Sequence, residues 1–204
     1  MKKVRFILHA FICLVVSINA MSQKLWTASD KTYLIDNLKR SRDSLVQETR
    51  NLSERQWNFK ESPDRWSINE VVEHLAIWEL ILEREISQGL IAGPQPELAK
   101  NGRTDSSIVA FLMEEKPHIT TEYTKPFTFT VPMGTNSGKN NLAWFLRMRN
   151  ESLAFIDSTS QDLRLYFRRG KGDIHQAYIT TFAHTDRHLR QIRRIKENAN
   201  YPKK

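Results

Sequence analysis

Four stretches of this chain place apolar residues on a helical period, and the gap between the second and third is far longer than the other two. The first stretch runs from Thr27 to Leu52. Leu34, Leu38, Leu45, Val46 and Leu52 keep an approximate helical spacing there, with no glycine or proline. Thr27, Ser29 or Asp30 can cap it. Ser53–Pro63 is a polar connector whose Trp57 and Phe59 are expected to fold back on the core. The second helix begins near Ser67, where Ser67 and Glu70 spell a capping box and Trp66 takes the staple position. Val71, Leu75, Trp78, Leu82 and Ile86 run down one face towards Gly89 or Gly93-Pro94. The third spans about Asn141 to Ser158, with Leu142, Phe145, Leu146, Arg149, Leu153 and Ile156 in phase. The fourth starts at Asp173, a good cap, and continues to about Asn198; Tyr178, Thr181, His184, Thr185, His188, Ile192 and Ile195 share a face. Four such helices with one long crossover predict an all-α four-helix bundle, whose metal sites are built from side chains facing inward.

The long helix 2–helix 3 connection, Gly93 to Asn140, carries a short extra helix over Asp105–Glu115, with Asp105 as its cap. Pro117, Pro126 and Pro132 punctuate the stretch beyond that helix. Phe127–Val131 alternates like a strand, but no second strand is available to pair with it, so it reads as extended loop. Connections of this length commonly form a lid or a pocket wall.

Within the fourth helix His184 and His188 stand four residues apart, hence one above the other on a single face. Two imidazoles in that arrangement can bite one metal ion, and a third ligand would complete a tripod with an open fourth position. His74, beside the apolar stripe of the second helix, is the candidate. The alternative for His74 is an ordinary core histidine, and for the pair, coincidence on a basic helix. His118 falls in the irregular connector. His175 is about half a turn out of phase with His184 and faces away from the pair. Glu70 and Asp186 are available to orient a ring nitrogen, although the capping box equally accounts for Glu70. Trp78, Trp144 and Phe182 read as packing.

The N-terminus has a different character. Lys2, Lys3 and Arg5 precede the largely apolar run Phe6–Ala20, and Ala20 and Ser22 supply small residues ahead of Gln23. That is the layout of a secretory signal peptide over residues 1–22, with a domain over 23–204. The run is short for a membrane span; an uncleaved anchor is the alternative. Cleavage would remove Cys13, the single cysteine, and with it any disulfide, thiolate nucleophile or cysteine ligand. It would also take three basic residues from a formal charge of +8. The 204 residues, 40% hydrophobic and 26% charged, suit one soluble domain with a proper core. The basic residues Arg187, Arg190, Arg193, Arg194 and Lys196 complement a helix C-terminus, and nothing in their pattern points to nucleic acid.

Three blocks carry a family likeness: Trp66-Ser67-Ile68-x-Glu70-Val71-x-x-His74-Leu75, then Asp162-Leu163-Arg164, then His184-x-x-Arg187-His188-x-x-Gln191-Ile192. In order and spacing they resemble the DinB-like superfamily, including its YfiT-type metal hydrolases, over roughly Asp30 to Asn198. The resemblance implies a bundle of up-down-down-up topology. It implies a divalent metal, zinc or nickel, held by His74, His184 and His188, and a possible homodimer. Arg149 stands where many members carry arginine.

Three functions are expected. The first is a metal-dependent hydrolase acting through metal-bound water on an unknown small-molecule substrate. The second, implied by the resemblance alone, is an S-transferase using a low-molecular-weight thiol such as bacillithiol or mycothiol. The third is a non-catalytic exported bundle that binds metal or a ligand. The expected location is outside the cytoplasm, periplasmic or secreted, with no membrane span in the mature chain.

Overall fold

Each long helix begins at a residue whose side chain accepts from the backbone N–H groups that a first turn leaves unpaired. The computed structural model describes residues 25–101, 103–114, 130–168 and 172–203. Thr27 and Asp30 exchange hydrogen bonds to open α1 (Ala28–Thr49). Ser53 and Gln56 do the same for a one-turn helix, α2 (Glu54–Trp57), which the sequence pattern did not suggest. The expected Ser67–Glu70 box opens α3 (Ile68–Ala92), which ends at Gly93 in a positive-φ conformation. After a 3-10 turn over Pro96–Asn101 come α4 (Asp105–Met113), α5 (Gly138–Ser158) and α6 (Ile174–Glu197). Asp173 caps α6 as anticipated. The signal-peptide segment, His118 and Phe127–Phe129 lie outside the described residues.

Two expectations about boundaries need correcting. Thr104, not Asp105, caps α4; the Asp105 carboxylate is turned across the fold to Arg164 and Gln176. And α5 starts at Gly138, earlier than Asn141. Gly138 belongs to the helix because its backbone lies flat against Trp57: a Cβ there would stand 2.2 Å from the indole.

The chain is all-helical among its described residues, apart from one isolated bridge between Phe167 and Asp173. α3 packs on α5 and α6, α1 packs on the same two helices, and α4 lies along α6. No described helix is long and apolar enough to cross a membrane. Trp57 and Phe59 do fold back, the former fully buried.

The core divides into two apolar slabs. Leu34, Leu38, Ile86, Leu153, Ile156, Ile174 and Phe182 belong to one; Leu45, Val72, Leu75, Phe145, Leu189 and Ile192 belong to the other. In sequence order along each helix a polar residue falls between the two sets: Ser41, Glu79, Arg149 and Thr185, all buried. Arg149, wholly inaccessible, donates to both Glu79 carboxylate oxygens (2.6 and 3.1 Å), the Leu38 carbonyl (3.0 Å), Ser41 Oγ (2.8 Å) and Thr185 Oγ1 (2.9 Å). All five guanidinium N–H groups are thereby used. The arginine whose position matched the family pattern is the bolt through the four long helices.

Candidate metal centre

His184 and His188 project from consecutive turns of α6, and His74 comes from the second turn of α3. The rings meet: His184 Nε2 is 3.1 Å from His188 Nε2, and the His74 ring centroid lies 5.2 Å from that of His184 and 4.8 Å from that of His188. One ring nitrogen of each lies within 4.8 Å of those of the others. Two imidazoles on one tetrahedral ion, at bonds of about 2.0–2.1 Å, stand about 3.3 Å apart. The α6 pair is therefore already at nearly the span an ion requires.

The outer nitrogens are spoken for. His74 Nδ1 lies 2.7 Å from the Thr130 carbonyl, and His188 Nδ1 lies 2.9 Å from Gln191 Oε1. With Nδ1–H donated outward, the Nε2 lone pair of each ring is turned inward, as metal-binding histidines need. The Thr130 carbonyl is held in place by the neighbouring residue of α3. Glu73, buried beside His74, accepts from the backbone N–H groups of Met133 (3.1 Å) and Gly134 (2.7 Å). Gly134 turns there with φ of 65°.

Protonation suits the same purpose. Burial depresses His74 to about 4, with the Thr130 bond working slightly the other way. Burial and the neighbouring His74 take His188 down to about 3. His184 is pushed well below its usual range by burial, then by His188 and His74. All three rings are neutral at pH 7, the form that ligates. The donor set, its inward lone pairs and its neutrality fit a divalent ion of the zinc or nickel type.

Aromatic rings wall the centre. Trp66 lies 4.8 Å from the His74 ring and 6.4 Å from the His188 ring; Trp78 lies 6.2 Å from His74 and 5.4 Å from His184. Trp78 is thus a wall of the site as well as a packing residue, whereas Phe182 and Trp144 pack in the two slabs. Neither carboxylate considered from sequence orients an imidazole. Glu70 closes the capping box and pairs with Lys60, and Asp186 pairs with Arg40. The orienting groups are instead Thr130 and Gln191. Gln191 was within reach, being three residues beyond His188 and so on its face of the helix. A backbone carbonyl has no signature in the sequence.

His175 is as far out of the centre as its phase requires. It is fully buried at the other end of α6, accepts from the Trp26 indole at 3.1 Å and stands 3.3 Å from Asp105.

A family model described as the DinB superfamily matches residues 37–192. The chain belongs to the DinB superfamily. That match spans all three histidines, the Arg149 bolt and Gln191. No curated protein and no solved structure matches the chain.

Proposed function

We propose that this DinB-superfamily protein binds one divalent ion, zinc or nickel, through His74, His184 and His188, and works as a metal-dependent hydrolase. The observation that carries the proposal is the 3.1 Å approach of two neutral imidazoles with a third in reach and the outer nitrogens anchored. When bound, the ion supplies a Lewis acid and an acidified water at its open position. The chain's part is to hold the three rings, to fix their tautomers through Thr130 and Gln191, and to screen the centre with Trp66 and Trp78.

The up-down-down-up order goes with this proposal, and cross-helix pairs support it. Asn69 and Asn141 meet at the starts of α3 and α5, Glu48 binds Arg193 and Lys196 at the ends of α1 and α6, and Lys31 near the start of α1 faces Asp157 near the end of α5. Export by a cleaved segment over residues 1–22, leaving a domain over 23–204, belongs to the same proposal, as does a homodimer.

One observation favours a second reading, the thiol S-transferase. Four carboxylates on the two helices that carry the histidines are engaged: Glu73 by the loop amides, Glu70 by Lys60 and Ser67, Glu79 by Arg149 and Asp186 by Arg40. A metal-activated thiolate attacks without a general base.

The deciding experiment is elemental mass spectrometry on the purified protein beside His74→Ala and His188→Ala, with circular dichroism to check folding. About one divalent ion per chain in wild type, lost in both variants, is expected for a three-histidine site. Metal that survives both substitutions would refute the centre. Ester and amide hydrolysis abolished by chelator then separates the hydrolase from thiol-dependent consumption of an electrophile.

A further inference from the structure

The stretch from Thr130 to Asn136 leads into the Ser137 cap of α5 and lies as a strap along the first two turns of α3. Residues of α3 hold it along its length. Asn69 Nδ2 donates to the Asn136 carbonyl (2.9 Å), Glu73 accepts from the Met133 and Gly134 N–H groups, and His74 Nδ1 donates to the Thr130 carbonyl (2.7 Å). The strap alternates as it goes: Thr130 and Pro132 are buried, Val131 and Met133 exposed.

Glu73 is the unusual member of this set. Its carboxylate is buried, and among the described residues no cation pairs with it. A buried charge is costly unless it is well hydrogen-bonded. What offsets the cost here is a pair of charge-assisted bonds to consecutive amides, one to each oxygen. The carboxylate therefore grips a backbone. Thr130 cannot fix its own carbonyl, because it is fully buried and its hydroxyl has no hydrogen-bond partner. The position of that carbonyl follows from the grip three and four residues further on.

The carbonyl in turn decides which nitrogen of His74 is protonated. A carbonyl only accepts, so Nδ1 carries the proton and Nε2 keeps the lone pair. With the strap undocked, a neutral imidazole can hold its proton on either nitrogen, and one of those forms cannot ligate through Nε2. The influence runs both ways. A cation on Nε2 makes Nδ1–H a stronger donor, and a fixed acceptor makes Nε2 a better ligand. The cycle of docking and binding closes, so each event strengthens the other by the same factor.

We propose that Glu73 is a positioning residue for His74: its grip on the Met133 and Gly134 amides sets the His74 tautomer through the Thr130 carbonyl, so that docking of the strap and binding of the ion strengthen each other. The coupling to the ion rests on the metal-binding proposal; the hold on His74 does not.

Two measurements test it. The first is amide hydrogen exchange followed by NMR on the full chain, metal-free and loaded with zinc or nickel. Exchange at Met133 and Gly134 is expected to slow about 10- to 100-fold on loading. The control is the Gln95 N–H, another connector amide, bonded to the Leu165 carbonyl (2.7 Å) beyond the far end of α3; it is expected to change less than about twofold. Unchanged exchange at Met133 and Gly134, or equal slowing at Gln95, would overturn the coupling. In a competition titration Glu73→Ala should bind the ion about tenfold more weakly, and Glu73→Gln, which keeps one acceptor, less so. Equal loss in the two variants would mean that the carboxylate acts through its charge and would overturn the grip.

The second measurement needs no metal. Nitrogen-15 NMR of the imidazole rings in the chelator-treated chain should show His74 as the Nδ1–H tautomer in wild type and as a mixture in Glu73→Ala, with circular dichroism to check folding. The same single tautomer in both would overturn the assignment. A chain that takes no metal yet shows the change would support Glu73 as the residue that positions His74 and would refute the metal reading alone.

Discussion

Replacing Arg149 by methionine tests the account of the core. The side chain is fully buried and its five N–H groups meet five acceptors on α1, α3 and α6. Arg149→Met fills similar space but strands the Glu79 carboxylate, whose side chain is only 4% exposed. Breaking a buried pair from one side costs about 3–5 kcal/mol, and in a domain of this size each kcal/mol moves Tm by about 2–4 °C. The expected fall is about 6–20 °C. The double variant Glu79→Leu/Arg149→Met leaves no stranded charge. The two hydroxyls keep partners in it, because Ser41 Oγ already donates to the Leu38 carbonyl and Thr185 Oγ1 to that of Thr181. The double variant is therefore expected within about 1–2 kcal/mol of wild type, well above either single. Urea unfolding of metal-free protein followed by circular dichroism gives all four corners of the cycle. A single variant within about 1 kcal/mol of wild type, or a double as unstable as the two singles added, would falsify the reasoning.

Two further outcomes are expected. Gln191→Leu removes the acceptor that fixes His188, and metal affinity should fall about 10- to 100-fold in a competition titration against a chromophoric chelator; unchanged affinity would mean His188 needs no orienting partner. Burial raises the carboxyl of Asp173 from its ordinary 3.8 to about 6, outweighing its bond from Gln176 N–H and the nearby Arg164. Between those two values the folded chain holds a proton that the unfolded chain has released, so its contribution to stability is complete below 3.8 and lost as pH rises through about 6. Asp173→Asn keeps the cap and should raise the urea midpoint at about pH 7–8 while leaving it nearly unchanged near about pH 4; an equal shift at both values would remove burial as the cause.

Local chemistry made much of this molecule legible from its residues. The Ser67–Glu70 box and the Asp173 cap are short-range hydrogen-bonding patterns, and the structure keeps both. The four-residue step from His184 to His188 fixes a shared face whatever surrounds it, and His74 joins them because its phase on α3 turns it inward. What escaped notice depended on contacts between distant segments. Gly138 looks like a breaker until Trp57 is placed against it. Val46 has the spacing of a core residue yet is exposed, while polar Ser41 is buried, because a guanidinium arriving from α5 requires an oxygen there. Asp105 would cap a helix in isolation; here a third element, Arg164, claims its carboxylate, and Thr104 takes the cap.

The polar layer has one more consequence. Apolar slabs alone are tolerant of sliding: a helix displaced by one turn, about 5.4 Å, can find new pockets for its leucines. A guanidinium with fixed acceptors on three other helices cannot follow such a slip, so the layer acts as an index mark for the whole bundle. His184 is the residue beside Thr185, and His74 stands five residues before Glu79 on the same helix. The alignment of the imidazoles is inherited from that mark and not from the shapes of the surrounding hydrocarbons. Residues that share one slab, such as Leu45, Val72 and Ile192, can consequently make volume-conserving exchanges among themselves while the three rings hold station. What makes the bundle cohere and what keeps it in register have been given to different residues.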